Sequence, residues 1–286
     1  MYKQNIYKFS LSVLICISIM IIGGYAGHNF KLLISSLTYG TISFLILFHT
    51  KERNEKWKLI LILATPPFLM YSPIHILYFN STLISLPSTL GHFVGVFFGI
   101  VLYFLNKKAR LLYIILTLIL INWCSFIGYK YWLNKMNYGT YTGHIKMKKK
   151  IELGGRSGET TYLSNSHFSG KILVLDFWNT RCGVCFQKFP LLQKTYEKYK
   201  FNKNILIYAV NKQFQDDDER YIFQIIKERG FSFPILLPSD MSLAEKFEIT
   251  SYPTTLLVDK DGYVFFKGDI VDAMNILENS ENQINQ

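Results

Sequence analysis

Five long apolar segments occupy the first half of the chain, and short apolar runs alternate with amphipathic stretches in the second half. Each long segment has about the ~20 residues that an α-helix needs to cross a ~30 Å hydrocarbon core. The pattern predicts five membrane-spanning helices, over 9–26, 32–48, 57–79, 83–105 and 111–132. The third segment contains three prolines, which predict a kink. A re-entrant third segment, which would enter and leave the membrane on the same side, is the alternative to a span.

The first segment allows a second interpretation, because the basic residues Lys3 and Lys8 precede it, as in a cleaved signal peptide. We favour an uncleaved anchor, since the apolar run is long and the cleavage signal is poor. Either choice leaves the second half of the chain on the same side of the membrane.

The second half has the pattern of a globular α/β domain. Residues 133–144 form a polar linker, and residues 145–286 form the predicted domain. The buried-strand pattern occurs at 172–177, 205–210, 234–237, 254–259 and 263–267. Helices are predicted at 182–199, 219–229, 243–247 and after 272. The turn Lys260–Asp261–Gly262 predicts a hairpin between the last two strands, so we expect a three-layer α/β domain.

Composition and charge agree with this division. Half of the residues are hydrophobic and only 18% are charged, which excludes a disordered chain, a collagen-like fibre and a disulfide-dense secreted domain. The net charge of +11 divides into +9 for residues 1–132 and +2 for residues 133–286. The basic clusters lie between apolar segments, so we interpret them as topology signals towards a lipid bilayer and expect no nucleic-acid partner.

The distribution of basic residues also predicts the orientation. With a cytoplasmic N-terminus, nine Lys and Arg residues fall on the cytoplasmic side, and the external loops between helices hold only Lys31. This satisfies the positive-inside rule. We therefore expect a multi-pass protein of the bacterial inner (cell) membrane, with its C-terminal domain in the periplasm or an equivalent extracytoplasmic space.

A C-x-x-C motif, Cys182-Gly183-Val184-Cys185, follows a predicted strand and opens a predicted helix. Half of a zinc site and a structural disulfide are the alternatives to redox chemistry. Zinc would need further ligands such as His144 or His167, and the remaining cysteines, Cys16 and Cys124, lie in predicted spans. The context favours a redox-active pair, and we predict no metal and no cofactor.

The two cysteines have different predicted roles. A sulfur at a helix N-terminus faces unpaired N–H groups and the positive end of the helix dipole, and both stabilise a thiolate. Cys182 takes this position, while Cys185 lies three residues deeper. We expect Cys182 to attack a substrate disulfide and Cys185 to resolve the mixed disulfide.

Two segments carry a family resemblance. DFWNTRCGVCFQKFP, residues 176–190, resembles the active-site segment of thioredoxins, and SYPTTLLVDKDG, residues 251–262, resembles their cis-proline segment. The lead-in HFSGKILVLDFW is most similar to the TlpA/ResA-type membrane-tethered thioredoxin-like family. The resemblance covers about residues 145–278 and none of 1–132. The resemblance implies a thioredoxin-like fold for the second half. Together with the hydropathy pattern of the first half, the expected fold is an α-helical transmembrane bundle of about five spans followed by an α/β thioredoxin-like domain.

The resemblance also implies site roles. Asp176 matches the buried acid that moves the proton of the inner cysteine, with a solvated strand-end Asp as the alternative. Trp178 matches an aromatic beside the active site, and we include it among the substrate-binding residues. Pro253 matches the cis-proline, which leaves the Tyr252 backbone free to pair with a substrate strand; an ordinary trans turn is the alternative. Arg181 departs from the usual Trp and either stabilises the Cys182 thiolate or is solvated.

The leading hypothesis is a membrane-anchored thiol–disulfide oxidoreductase that reduces protein disulfides, for example in cytochrome c maturation. Its expected partners are disulfide-containing proteins and a membrane dithiol that donates or accepts electrons. A thiol peroxidase is disfavoured, because Asn179 stands where that family has Thr or Ser. The alternative from another class is a membrane transporter or quinone-linked module with a redox-sensing thioredoxin-like domain.

Overall fold

The computed structural model describes residues 2–147, 150–158 and 161–284, and the chain divides into two compact units. We call Met1–Leu133 the membrane unit and Asn134–Gln286 the C-terminal unit. The helices that begin in the membrane unit are α1 (Tyr2–Ala26), α2 (His28–His49), α3 (Arg53–Leu77), α4 (Phe79–Thr82), α5 (Leu86–Phe104), α6 (Lys107–Trp123) and α7 (Tyr129–Tyr138).

Five helical segments of the described chain are long and apolar enough to cross a membrane, which confirms the predicted helical first half. A helix satisfies its own backbone hydrogen bonds, so it is the form that such apolar sequence can take in lipid. The third is continuous from Arg53 to Leu77 despite its prolines, and the chain does not reverse direction within it. The last is interrupted by a π-helical turn, Cys124–Gly128, between α6 and α7, which the apolar pattern does not predict.

Glycine and serine residues let α2 and α5 approach closely. Ser43 Oγ donates a hydrogen bond to the Val96 carbonyl at 3.3 Å. A Cβ atom added to Gly99 would lie 1.9 Å from Ser43 Oγ and 2.3 Å from the Gly40 carbonyl oxygen. Small residues at such a crossing are a common means of packing helices in membranes.

A cluster of polar side chains is buried inside the membrane unit. We call Cys16, Lys31, Tyr39, Tyr71 and His92 the polar cluster. The Lys31 ammonium lies 4.1 Å from the centroid of the Tyr71 ring, and the His92 ring lies 5.0 Å from Tyr39 and 5.4 Å from Tyr71. Both tyrosine hydroxyls and His92 Nε2 are buried without a hydrogen-bond partner among the described residues. Buried polar atoms without partners are rare in folded proteins and call for an explanation.

The C-terminal unit is built on a seven-stranded mixed sheet in the order β2-β1-β5-β4-β3-β6-β7. Its strands are β1 (Gly155–Ser157), β2 (Thr161–Leu163), β3 (Ile172–Trp178), β4 (Ile205–Asn211), β5 (Ile235–Pro238), β6 (Thr254–Val258) and β7 (Val264–Gly268). β3, β4 and β5 are parallel, and the outer pairs are antiparallel. The central strands are almost entirely buried, as expected for continuous apolar runs covered on both faces.

Helices cover both faces of this sheet. They are α8 (Asn165–Phe168), α9 (Gly183–Tyr199), α10 (Glu219–Glu228), α11 (Leu243–Lys246) and α12 (Ile270–Ile284). One core joins α9, α10 and α12 to the sheet, and the other lies beneath α8 and α11. The structure confirms the predicted layered α/β arrangement.

The pattern misses the hairpin β1–β2, as well as the short helix α8. β1 pairs with both β2 and β5, but its residues Gly155–Ser157 are not an apolar run. Its position depends on the edge of β5, far along the chain. The β6–β7 hairpin, by contrast, forms as predicted, with Gly262 in the left-handed region at φ 88°.

Candidate active site

The cysteine pair lies at the point where β3 passes into α9. Cys182 is the N-cap residue of α9, and its Sγ accepts a hydrogen bond from the Cys185 backbone N–H at 3.1 Å. The two cysteines form a disulfide bond. Cys182 is partly exposed, whereas Cys185 is fully buried. An incoming nucleophile or substrate therefore meets Cys182 first.

Asp176 lies in the sheet and is 2% exposed, so the alternative of a solvated strand-end carboxylate is wrong. Its Oδ1 accepts a hydrogen bond from Thr255 Oγ1 at 2.7 Å, across the β3–β6 pair. Burial raises the pKa of Asp176 to about 6, although the Thr255 hydrogen bond and the Lys188 charge oppose this rise. A carboxyl group with that pKa exchanges its proton near neutral pH.

The segment that precedes β6 lies at the same end of the sheet as the cysteine loop. The peptide bond Tyr252–Pro253 is cis. Thr254 pairs with Phe177, so the strand register places Pro253 level with the end of β3. Tyr252 is half-buried and packs against the core on both faces of the sheet. The segment and the cysteine loop therefore lie at the same end of adjacent strands.

Arg181 is held by an acidic loop instead of standing alone in solvent. Its guanidinium contacts both carboxylate oxygens of Asp216, at 2.5 and 2.6 Å, and lies 4.3 Å from the centroid of the Phe214 ring. The same loop is tied to the cysteine loop by the hydrogen bond from Thr180 to Asp217, at 2.8 Å. Asp216 compensates much of the positive charge that Arg181 would offer to Cys182.

Trp178 is completely buried, and its ring contacts Phe186 and Phe189 on α9. The side chain presents no surface to a substrate, so we assign it a packing role beneath the cysteine loop in place of substrate contact. Edge-to-face rings of this kind fix the position of the first turns of α9.

Two charged residues, one that acts on Asp176 and one paired with it, are missing from the sequence-based site. Lys188 lies one helical turn after Cys185 and forms an ion pair with Asp269 at the start of α12. The helical spacing from Cys185 is a signal that points to Lys188. Asp269 has no such signal, because only the folded chain brings it to α9.

Metal ligation was the alternative for the cysteine pair. Within the described ranges, no group of three or more His, Cys, Asp and Glu side chains is placed to hold a metal ion. The two thiols are bonded to each other, and Cys16 and Cys124 are free. The arrangement suits thiol–disulfide exchange.

The sheet order and the half-exposed cysteine pair define the class of the C-terminal half, which is a thioredoxin-like domain of the thiol–disulfide oxidoreductases. Residues 146–267 match the model of the AhpC/TSA family.

The chain is similar in sequence to known proteins over this half. The "Thiol-disulfide oxidoreductase ResA" of Bacillus thuringiensis subsp. konkukian (strain 97-27) is 26% identical over 165 residues, which cover 55% of this chain and 87% of that protein. The protein of the same name from Bacillus subtilis (strain 168) is 25% identical over 191 residues, covering 61% and 98%. Among solved structures, the thioredoxin domain of a thiol-disulfide oxidoreductase from Bacteroides vulgatus is 26% identical, covers 47% of this chain and 96% of its own, and has a TM-score of 0.41.

Proposed function

We propose that the protein is a membrane-anchored thiol–disulfide oxidoreductase that reduces protein disulfides outside the cytoplasm through Cys182 and Cys185. The observation that carries the proposal is the pair itself, with a partly exposed sulfur at a helix N-terminus bonded to a buried one. Cytochrome c maturation, in which exported thiols must be kept reduced, is one setting that such chemistry fits.

The reaction follows from the exposure of the two sulfurs. In the reduced pair, the Cys182 thiolate attacks a substrate disulfide, forms a mixed disulfide and expels one substrate thiolate, which takes up a proton. Cys185 then loses its proton and attacks Cys182, so that the internal disulfide forms and the second substrate thiolate leaves. Two electrons pass to the substrate. Asp176 is the buried base placed to take the Cys185 proton.

Substrate recognition is proposed at the segment beside the pair. The Tyr252 backbone adds to an extended substrate strand, and Pro253 holds that backbone in place. Arg181, paired with Asp216, adds a polar rim to this surface. Disulfide-containing proteins with an extended segment at the bond are therefore the proposed substrates.

The membrane arrangement is proposed from length, composition and charge. Five helical segments are able to span, and the basic residues cluster at the ends that we assign to the cytoplasm. We place the domain of residues 145–286 on the outer face of the bacterial inner membrane, with residues 133–144 as the linker. Regeneration of the dithiol then needs electrons from a membrane dithiol donor, and the direction of flow depends on the reduction potentials of both partners.

Turnover of a disulfide protein by the detergent-solubilised full chain tests the proposal, with dithiothreitol as electron donor and insulin as substrate. Cys182→Ser should abolish reduction, because the attacking sulfur is lost. Cys185→Ser, reduced and then freed of dithiothreitol before insulin is added, should instead accumulate a mixed disulfide that added reductant releases. Cys124→Ser is the matched control and should retain full activity. Unchanged insulin reduction by Cys182→Ser would refute the proposal.

One observation favours a second candidate, a transporter or quinone-linked membrane module with the C-terminal unit as its redox sensor. The polar cluster buries Lys31 and His92 among membrane helices, where ionisable groups usually serve a function. A membrane activity that persists in the double variant Cys182→Ser, Cys185→Ser and is lost in Lys31→Met would favour this candidate.

A further inference from the structure

Lys188 occupies a protected position behind the cysteine pair. It follows Cys185 by one turn of α9, and its side chain is 30% exposed. Its ammonium donates a hydrogen bond to Asp269 Oδ2, across the junction between α9 and the start of α12. A lysine held in this way cannot move freely into solvent.

Asp269 is itself fixed by α12. Its Oδ1 accepts a hydrogen bond from the Val271 N–H at 2.9 Å, as an N-cap side chain does, and its carbonyl accepts from the Ala273 N–H at 3.0 Å. The second carboxylate oxygen of Asp269 is therefore directed to Lys188 by the helix start. The ion pair sets the position of the ammonium.

Asp176 lies on the face of β3 that α9 and α12 cover, because its alternate neighbours along the strand belong to the core beneath those two helices. The charge of Lys188 on α9 therefore faces the buried carboxyl group. Lys188 is attracted electrostatically to Asp176 and to Asp272, in addition to its ion pair with Asp269. The other groups facing Asp176 are the Thr255 hydroxyl from β6 and the Tyr138 phenol from α7. Three carboxyl groups thus share one ammonium, and burial raises the pKa of Asp176 against the pull of that charge.

We propose that Lys188, held by Asp269, is a positioning residue that stabilises the Asp176 carboxylate and so sets the pH at which Cys185 resolves the mixed disulfide. This inference rests on the proposed function. In the resolving step the Cys185 proton passes to the Asp176 carboxylate. The Cys185 sulfur then bonds to Cys182, the bond from Cys182 to the substrate sulfur breaks, and the substrate thiolate leaves with the electron pair of that bond.

The resolving step is measured directly with a chromogenic aryl disulfide. The reduced full chain in detergent, carrying Cys16→Ala and Cys124→Ala, releases one aryl thiol on attack by Cys182 and a second when Cys185 resolves the adduct. The second release is independent of reagent concentration, so its rate is followed across pH by stopped-flow absorbance. In the parent protein we expect the rate to rise with pH through about 6, as Asp176 loses its proton.

Three variants separate charge from structure. Lys188→Met should move the acid limb to higher pH by roughly one pH unit, a loss of up to about tenfold in rate below the midpoint. Lys188→Arg should restore the parent profile, since the cation returns. Asp269→Asn keeps an N-cap residue but removes the ion pair that holds the Lys188 ammonium, so the limb should move to higher pH, in the same direction as in Lys188→Met. Shifts in the same direction from the cation and from the residue that holds it, with rescue by Lys188→Arg, identify an electrostatic effect.

The Asp176→Asn background completes the test. There Lys188→Met should change the resolving profile no further, because the carboxyl group on which Lys188 acts is absent. An unmoved limb in Lys188→Met, equal shifts with and without Asp176, or a downward shift in Asp269→Asn would each overturn the inference. A parent chain that releases no second thiol would instead refute the proposed function, so the two failures are distinguishable.

Discussion

Asp176 is the side chain in which burial and chemistry oppose each other most directly. The carboxyl group is 2% exposed, and its hydrogen bond to Thr255 and the attraction of Lys188 only partly offset its desolvation. A group in this state favours its neutral form, which costs stability wherever the unfolded chain is ionised. Retaining such a residue in the core is understandable if it serves the Cys185 proton.

The pH dependence of stability follows with a definite sign. The folded pKa of about 6 lies above the ordinary value of 3.8, so the native state binds a proton that the unfolded chain has already lost. The Asp176 contribution is complete below about pH 4 and is lost as pH rises to about 6, at about 1.4 kcal/mol per pH unit. Above that range the folded state has lost about 3 kcal/mol.

Asp176→Asn should remove this loss, so that its free energy of unfolding relative to the parent rises between pH 4 and pH 7. Urea unfolding of the oxidised chain in detergent measures this free energy for both proteins at each pH. Trp178 fluorescence is the probe, and the other tryptophans are replaced by phenylalanine in both proteins. A difference between the two proteins that stays constant with pH would contradict the account.

At the scale of single residues, the sequence motif identifies the two cysteines and Asp176, because each belongs to a local pattern along the chain. Lys188 has the helical spacing from Cys185 as its signal. Asp269 escapes such reasoning, since it is 81 residues from Lys188 and meets it only through the packing of α12 on α9. Arg181 is intermediate: its exposure is expected, but its pairing with Asp216 depends on the loop after β4.

At the scale of elements, the apolar period predicts the long helices and the buried strands, and what it misses depends on neighbours. The β1–β2 hairpin forms on the edge of β5 although its own sequence is polar. The π turn Cys124–Gly128 interrupts an apolar segment that the pattern extends as one helix. Neither feature has a signal in the apolar pattern. For the hairpin the reason is that pairing with β5 overrides the local preference of its sequence.

The crossing of α2 and α5 carries an element-scale prediction. Gly99→Ala should lower the thermal midpoint of the folded membrane unit in detergent, since the added methyl would meet Ser43 Oγ and the Gly40 carbonyl. Overpacking of this kind costs about 1–3 kcal/mol. Gly24→Ala in α1 is the matched control, because a Cβ there meets nothing within 4 Å. The thermal midpoints are measured by size-exclusion chromatography of heated samples. Equal midpoints for the two variants would argue against close packing at Gly99.

At the scale of the whole molecule, two halves of unlike composition share one chain. The basic residues between the apolar segments of the first half predict a single orientation by the positive-inside rule. Composition and hydropathy predict this division directly, as they need no knowledge of packing. The electron donor and the substrate have no comparable signal, since they depend on surfaces and potentials of other molecules.

Labelling of Cys182 in intact cells tests the central claim most directly. Cells producing the chain are treated with a membrane-impermeant reductant and then with a membrane-impermeant maleimide, and the modified cysteine is identified by mass spectrometry. The account predicts label on Cys182 without permeabilisation and none on this peptide in Cys182→Ser. Labelling that requires permeabilised cells would place the pair in the cytoplasm and contradict an extracytoplasmic thiol–disulfide oxidoreductase.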